Sequence, residues 1–189
     1  MSEREPKNDS GVVVSENQSR FFMGIGMDIP VNTYVPLSAR HLQVMQGRVE
    51  GLTYDELAKR LSLTVPTIQT YVLQLTAIGE GFATGSNGFE AIVSFGVGIG
   101  KVSASKVIPN SGVDLDASEA AILGLMVQGY DNHEIFRTLD IGKMRLGLHM
   151  KKLYKKLGLD MPYRRKSVPA VAIAVDLLKQ RFENSEAQA

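Results

Sequence analysis

Nine cations fall within residues 141–166: Lys143, Arg145, Lys151, Lys152, Lys155, Lys156, Arg164, Arg165 and Lys166. Asp160 alone opposes them, leaving a net charge of +8 over this stretch. A run of this kind is often no more than a solvated helix face, but its spacing gives it a second meaning. Arg145, His149, Lys152 and Lys156 recur at intervals of four, three and four, which puts them on one stripe of a helix. Lys151 and Lys155 flank that stripe, Lys143 precedes it, and Leu146, Met150, Leu153 and Leu157 fall opposite. The matching chemistry is nucleic-acid contact. Arg145 and His149 suit base edges, whereas Lys143, Lys151, Lys152, Lys155 and Lys156 suit phosphates, with Arg164, Arg165 and Lys166 following in the next loop. A second set of outward polar residues, Thr67, Gln69, Thr70, Tyr71 and Gln74, has donors and acceptors for base edges but no cation among them.

Other chemistries find little support in the residue types. The absence of cysteine removes disulfides, thiolate metal sites and cysteine nucleophiles. His41, His133 and His149 stand without a carboxylate at zinc-site spacing, so no metal or other cofactor is expected. Gly96-Val-Gly-Ile-Gly-Lys101 looks like a phosphate loop, but the Walker pattern needs glycine at Phe95 and Ser or Thr at Val102. The dinucleotide fingerprint needs glycine at Lys101. Paired acids such as Asp55-Glu56 sit where helix caps belong. The expectation is a protein that is not an enzyme.

The whole-chain balance hides the basic run, because 21 Lys+Arg stand against 20 Asp+Glu in 189 residues. Residues 1–113 are slightly acidic and residues 114–189 slightly basic. A hydrophobic content of 44% suffices for folded cores in one or two domains. No unbroken apolar run reaches the roughly 18 residues of a membrane helix, so no membrane partner is expected. The polar opening stretch lacks the pattern of a signal peptide, and the missing cysteines suit a reducing compartment; a cytoplasmic location is expected. Too few residues precede the first helix for a sensing domain. A signal is therefore expected through protein contact, through a ligand between the two copies described next, or through abundance.

The elements that would position these side chains come from an internal repeat. Laying Leu37 over Leu115 gives an offset of 78 residues that holds without a gap for about forty positions. Leu37-Ser-Ala falls on Leu115-Asp-Ala, Glu50-Gly-Leu-Thr53 on Gln128-Gly-Tyr-Asp131, and Arg60-Leu-Ser-Leu63 on Thr138-Leu-Asp-Ile141. Each copy has helix signals at the same places. Asp116-Ala-Ser-Glu119, Asp131-Asn-His-Glu134 and Thr53-Tyr-Asp-Glu56 are capping boxes. Gly51 and Gly129 end first helices, and Pro66 sits in the first turn of a third helix, where proline is tolerated. The second copy's third helix runs from Lys143 to Leu157 and stops at Gly158. A fourth apolar helix follows in each copy, at 89–95 and 168–181. Two short helices joined by a tight turn form a helix-turn-helix.

On these residues the chain resembles the four-helix DNA-binding domain of LuxR-type transcription regulators. The first copy carries the likeness in Leu37-Ser-Ala-Arg40, Glu50-Gly-Leu-Thr53, Glu56-Leu-Ala-Lys-Arg-Leu61 and Thr67-Ile68. The second carries it in Gly129, Asn132, Glu134-Ile135, Leu139, Ile141, His149 and Leu153-Tyr-Lys-Lys-Leu-Gly158-Leu159. Together they cover about two thirds of the chain. The resemblance implies a regulator whose third helix enters the major groove and whose fourth helix often pairs two subunits. The chain departs from the family at Gly147, where a lysine is usual, and at Arg145, where a threonine is usual.

The expected architecture is all-α, with two tandem four-helix helix-turn-helix units joined by a Gly/Ser linker. Residues 1–35 form a mobile amino-terminal segment whose apolar patch at 21–30 packs on the first unit or serves as a docking peptide. Residues 36–97 form the first unit, 98–113 the linker, 114–182 the second unit and 183–189 a tail. The fourth helix, with Val171, Ala172, Val175 and Leu178 on one side, either closes its own small core or offers a face for a homodimer. The expected function is a transcription regulator in the bacterial cytoplasm that binds double-stranded DNA through the second unit. The alternative is a regulatory adaptor that binds another transcription factor or RNA polymerase through its helix-turn-helix units.

Overall fold

The computed structural model describes residues 11–104, 113–162 and 166–187. Nine helices and one two-stranded ribbon occur among the described residues, so the protein is all-α in class. The ribbon pairs β1 (Val12–Val13) with β2 (Tyr34–Val35), and α1 (Glu16–Gly24) lies between its strands. Two runs of four helices follow. The first is α2 (Ala39–Val49), α3 (Tyr54–Leu61), α4 (Val65–Glu80) and α5 (Gly88–Gly98). The second is α6 (Ala117–Val127), α7 (Asn132–Thr138), α8 (Lys143–Lys156) and α9 (Ser167–Glu186).

The offset seen in the sequence recurs in the backbone. The caps Ser38, Thr53 and Thr64 of the first run stand 78 residues before Asp116, Asp131 and Gly142 of the second. The left-handed positions Gly51 and Ser62 stand the same distance before Gly129 and Asp140. Ser38, Thr53, Asp116 and Asp131 each close a capping box with the residue three further on, so these helix starts are fixed by local hydrogen bonds.

The two runs do not stand apart on a linker; they share one hydrophobic core. Helix α5 is buried on all sides, with Ala91, Ile92, Val93 and Phe95 fully covered, and packs chiefly on α4 and α9. Glycine permits the α4–α5 contact: a Cβ on Gly79 would lie 1.9 Å from the Gly88 carbonyl oxygen, and one on Gly88 2.3 Å from that of Thr76. Backbone bonds then join the α4–α5 loop to the α6–α7 turn. The Thr84 and Gly85 amides donate to the Gln128 carbonyl at 3.1 and 3.2 Å, and the Asn87 amide donates to that of Gly129 at 2.6 Å. Ser86 donates its amide to both carboxylate oxygens of Glu134, and Ser94 Oγ donates to the Val127 carbonyl at 2.8 Å.

Three sequence expectations change here. The segment 98–113 is not a linker throughout, because Gly98 ends α5, Val102 and Ala104 are buried, and Gln46 brackets Ser103 with two hydrogen bonds. Residues 105–112 lie outside the described residues. The amino-terminal stretch from residue 11 is ordered rather than mobile, because its polar residues cap a helix: Ser15 and Gln18 close a capping box. The apolar patch packs on both runs, with Phe22 stacked on Phe95 at 5.4 Å and Phe21 edge-on to Phe182 at 5.7 Å. Finally, Val171, Ala172 and Val175 are fully buried, so α9 closes a core, one of the two roles open to it, but a core shared by both runs; Leu178 on the same side is half-buried.

One acid is trapped where α5 meets the start of α9. Glu90 is 6% exposed. Burial pushes its carboxyl up from 4.5 to about 7 against hydrogen bonds from Ser167 and Asn87, and Asp131 adds to the rise. Between those values the folded chain binds a proton that the unfolded chain has released, so stability falls as pH rises towards 7. The expected loss is about 3 kcal/mol, on the order of 1.4 kcal/mol per pH unit. Urea unfolding at pH 5 and pH 8 checks this. Glu90→Gln should remove most of that difference and be the more stable protein at pH 8; an unchanged pH dependence contradicts the assignment.

Candidate nucleic-acid interface

Helix α8 is placed by a tight turn and by a buried face. Left-handed Asp140 (φ 50°) turns the chain after α7, and the Ile141 amide donates back to the Phe136 carbonyl at 3.0 Å. Leu146, Met150, Leu153 and Leu157 then face the core as the sequence predicts, and Tyr154 joins them at 2% exposure. Lys155 and Lys156 lie in the last turn, where they meet the negative end of the helix dipole.

The outward face of α8 carries Met144, Arg145, Gly147, Leu148, Lys151, Lys152 and Lys155, with exposed Lys143 at its start. No carboxylate lies anywhere on the helix. The centre of this face is apolar: Met144 is 84% exposed and Leu148 59%. These two residues are one turn apart and therefore adjacent on the surface. Gly147 sits beside them, and a Cβ there would meet nothing within 4 Å, so no packing requires glycine. Its absent side chain helps open a cavity of about 330 Å³ between α7 and α8, lined by Asn132, His133, Phe136, Lys143 and Leu146.

Two members of the expected stripe have other surroundings: Lys156 is exposed but bonded to its own chain, and His149 is half-buried. The Lys156 ammonium pairs with Glu119 at 2.5 Å and donates to the Asp114 carbonyl at 2.9 Å. The hydrogen bond to Glu119 raises the lysine above its ordinary value, assisted by the charges of Glu119, Asp116 and Asp114. Glu119 is fully buried, so Lys156 compensates a buried charge while remaining exposed like Lys152 and Lys155. The His149 Nδ1 is enclosed without a hydrogen-bond partner among the described residues. Arg145, Lys151, Lys152 and Lys155 are exposed as well, with no ion pair to an acid of the helix itself. Arg164 and Arg165 lie outside the described residues, and Lys166 is half-buried just before α9.

The equivalent helix α4 turns its polar groups on itself. Thr67 Oγ1 lies 2.8 Å from Thr64 Oγ1, and Thr70 Oγ1 donates to the Pro66 carbonyl at 3.0 Å. His41 accepts the Ser38 amide at Nδ1, which leaves the Nε2 hydrogen to donate to Gln74 Oε1 at 3.0 Å. Tyr71 lies edge-on against His41 at 5.5 Å. Gln69 is exposed, and so is Leu73 at 70%. The two third helices thus have matching backbones and different surfaces.

The chain matches no family model, no curated protein and no solved structure. Its site is therefore argued from its own geometry. Among the described residues no cluster of three or more His, Asp or Glu residues is arranged to hold a metal ion, and no helix is long and apolar enough to cross a membrane.

Sequence reasoning missed Met144 and Leu148 because it followed the charges instead of the direction opposite the buried face. At about 100° per residue, the direction away from Leu146, Met150, Leu153 and Leu157 passes through Leu148 and Lys155. That signal was present in the sequence. The Glu119–Lys156 pair was not, since it depends on the docking of α8 against the start of α6. It yields a stability test. Lys156→Ala should lower the melting temperature by several degrees because it leaves buried Glu119 without a counter-charge, its Asp116 amide bond alone remaining, whereas Lys152→Ala should leave it unchanged. Equal effects on thermal unfolding contradict the different roles given to these lysines.

Proposed function

We propose that this chain is a cytoplasmic, DNA-binding transcription regulator built from two tandem helix-turn-helix units, with α8 as the helix that enters the major groove. The observation that carries the reading is the acid-free outward face of α8, where Arg145, Lys151, Lys152 and Lys155 are all exposed. The repeated caps and left-handed turns of the two runs support the helix-turn-helix assignment. Lys143, Lys151, Lys152 and Lys155 take phosphates, and Arg145 takes a base edge at the margin of the face. Lys156 ties the end of the helix to Glu119, and half-buried His149 stands at the edge of the reading face. The first run, whose α4 carries no cation, serves chiefly as scaffold, with Gln69, Thr70 and Gln74 as its exposed polar groups.

A salt titration against random duplex DNA tests this reading. Three to five phosphate contacts give a logarithmic affinity that falls with logarithmic salt at a slope of about −3 to −5. Lys152→Glu with Lys155→Glu should weaken binding strongly and reduce that slope by about two, with unchanged helical circular dichroism. No binding at low salt overturns the proposal.

A second reading has its own observation. Met144 and Leu148 at the centre of α8, and Leu73 on the cation-free α4, are the kind of exposed apolar residues through which a regulatory adaptor would grip another transcription factor or RNA polymerase. Absence of DNA affinity would favour that adaptor.

A further inference from the structure

The outward face of α8 has an unusual set of reading groups. Residues 143–156 contain no Asn or Gln, which pair with adenine, and no Asp or Glu, which accept from cytosine. Arg145 is exposed at the margin and suits guanine. The centre is left to Met144 at 84% exposure and Leu148 at 59%, side by side. Thymine is the base whose major-groove edge carries a methyl group, and apolar side chains are what meet it. Exposed Lys151, Lys152 and Lys155, with no acid on the helix, match the charge of the duplex around that apolar centre.

We infer that Met144 and Leu148 are specificity-determining residues that read thymine 5-methyl groups, an inference that rests on the DNA-binding reading above. Each methyl removed from water contributes roughly fourfold in affinity, and two contribute roughly tenfold or slightly more.

The experiment compares short alternating adenine–thymine and adenine–uracil duplexes, which differ in the methyl group, by fluorescence anisotropy at low salt with the full chain. The parent should bind the thymine duplex about tenfold more tightly. Met144→Ala with Leu148→Ala should bind both duplexes alike, near the uracil affinity of the parent; both side chains are exposed, and circular dichroism verifies the fold. If the parent binds the two duplexes equally and with steep salt dependence, methyl reading is overturned while the cationic interface stands. If neither duplex binds at low salt, the DNA-binding reading fails and this inference falls with it.

Discussion

Helix α5 has almost no surface of its own, and that constraint governs the chain. From Glu90 to Gly98 every residue is buried, so the helix is stable only when α4 covers one side and α9 another. The glycine pair Gly79 and Gly88 lets α4 and α5 approach within a distance that no side chain would allow. The two four-helix runs are thereby committed to one core. The fourth helix of the second run, which in the resembling family pairs separate subunits, here spends Val171, Ala172 and Val175 inside its own chain. Phe21 and Phe22 add to this by touching α9 and α5 from the amino-terminal arm.

The same backbone plan is used twice with opposite surface chemistry. On α4, Thr67, Thr70 and Gln74 bond within their own run, and no cation stands beside them. On α8, cations that find no carboxylate on their own helix stand in solvent around an apolar centre. The exception is Lys156, which stays exposed but pairs with Glu119 at the start of α6. That pair ties the last turn of the basic helix to the first helix of its own run. A near-zero net charge for the whole chain is thus an average over two unlike surfaces, and it carries no information about whether one of them meets DNA.

The parts of the fold legible in the sequence were those set by local hydrogen bonding. Thr53, Asp116 and Asp131 announce their helices because a capping box needs only four consecutive residues. The offset between the copies was legible because caps and apolar positions recur together. What was not legible depends on contacts between distant segments. The polar stretch before Phe21 reads as mobile until its Ser15 cap and its docking on α5 are seen. Val102 and Ala104 look like linker until α2 takes Ser103 through Gln46. At the candidate interface, the exposed cations, Lys156 among them, were found from spacing, but its bond to Glu119 and the half-burial of His149 were not, because both depend on neighbouring segments. A stripe of charge is a poorer guide to orientation than the apolar residues opposite it.

The central claim is that one of the two repeated helices reads DNA and the other does not. Selection of bound duplexes from a random library by the full chain tests it most directly, because the enriched sequences report how many half-sites each chain occupies. The account predicts one short site per chain, contacted through α8. Enrichment of two half-sites per chain, or no enrichment at all, would contradict it.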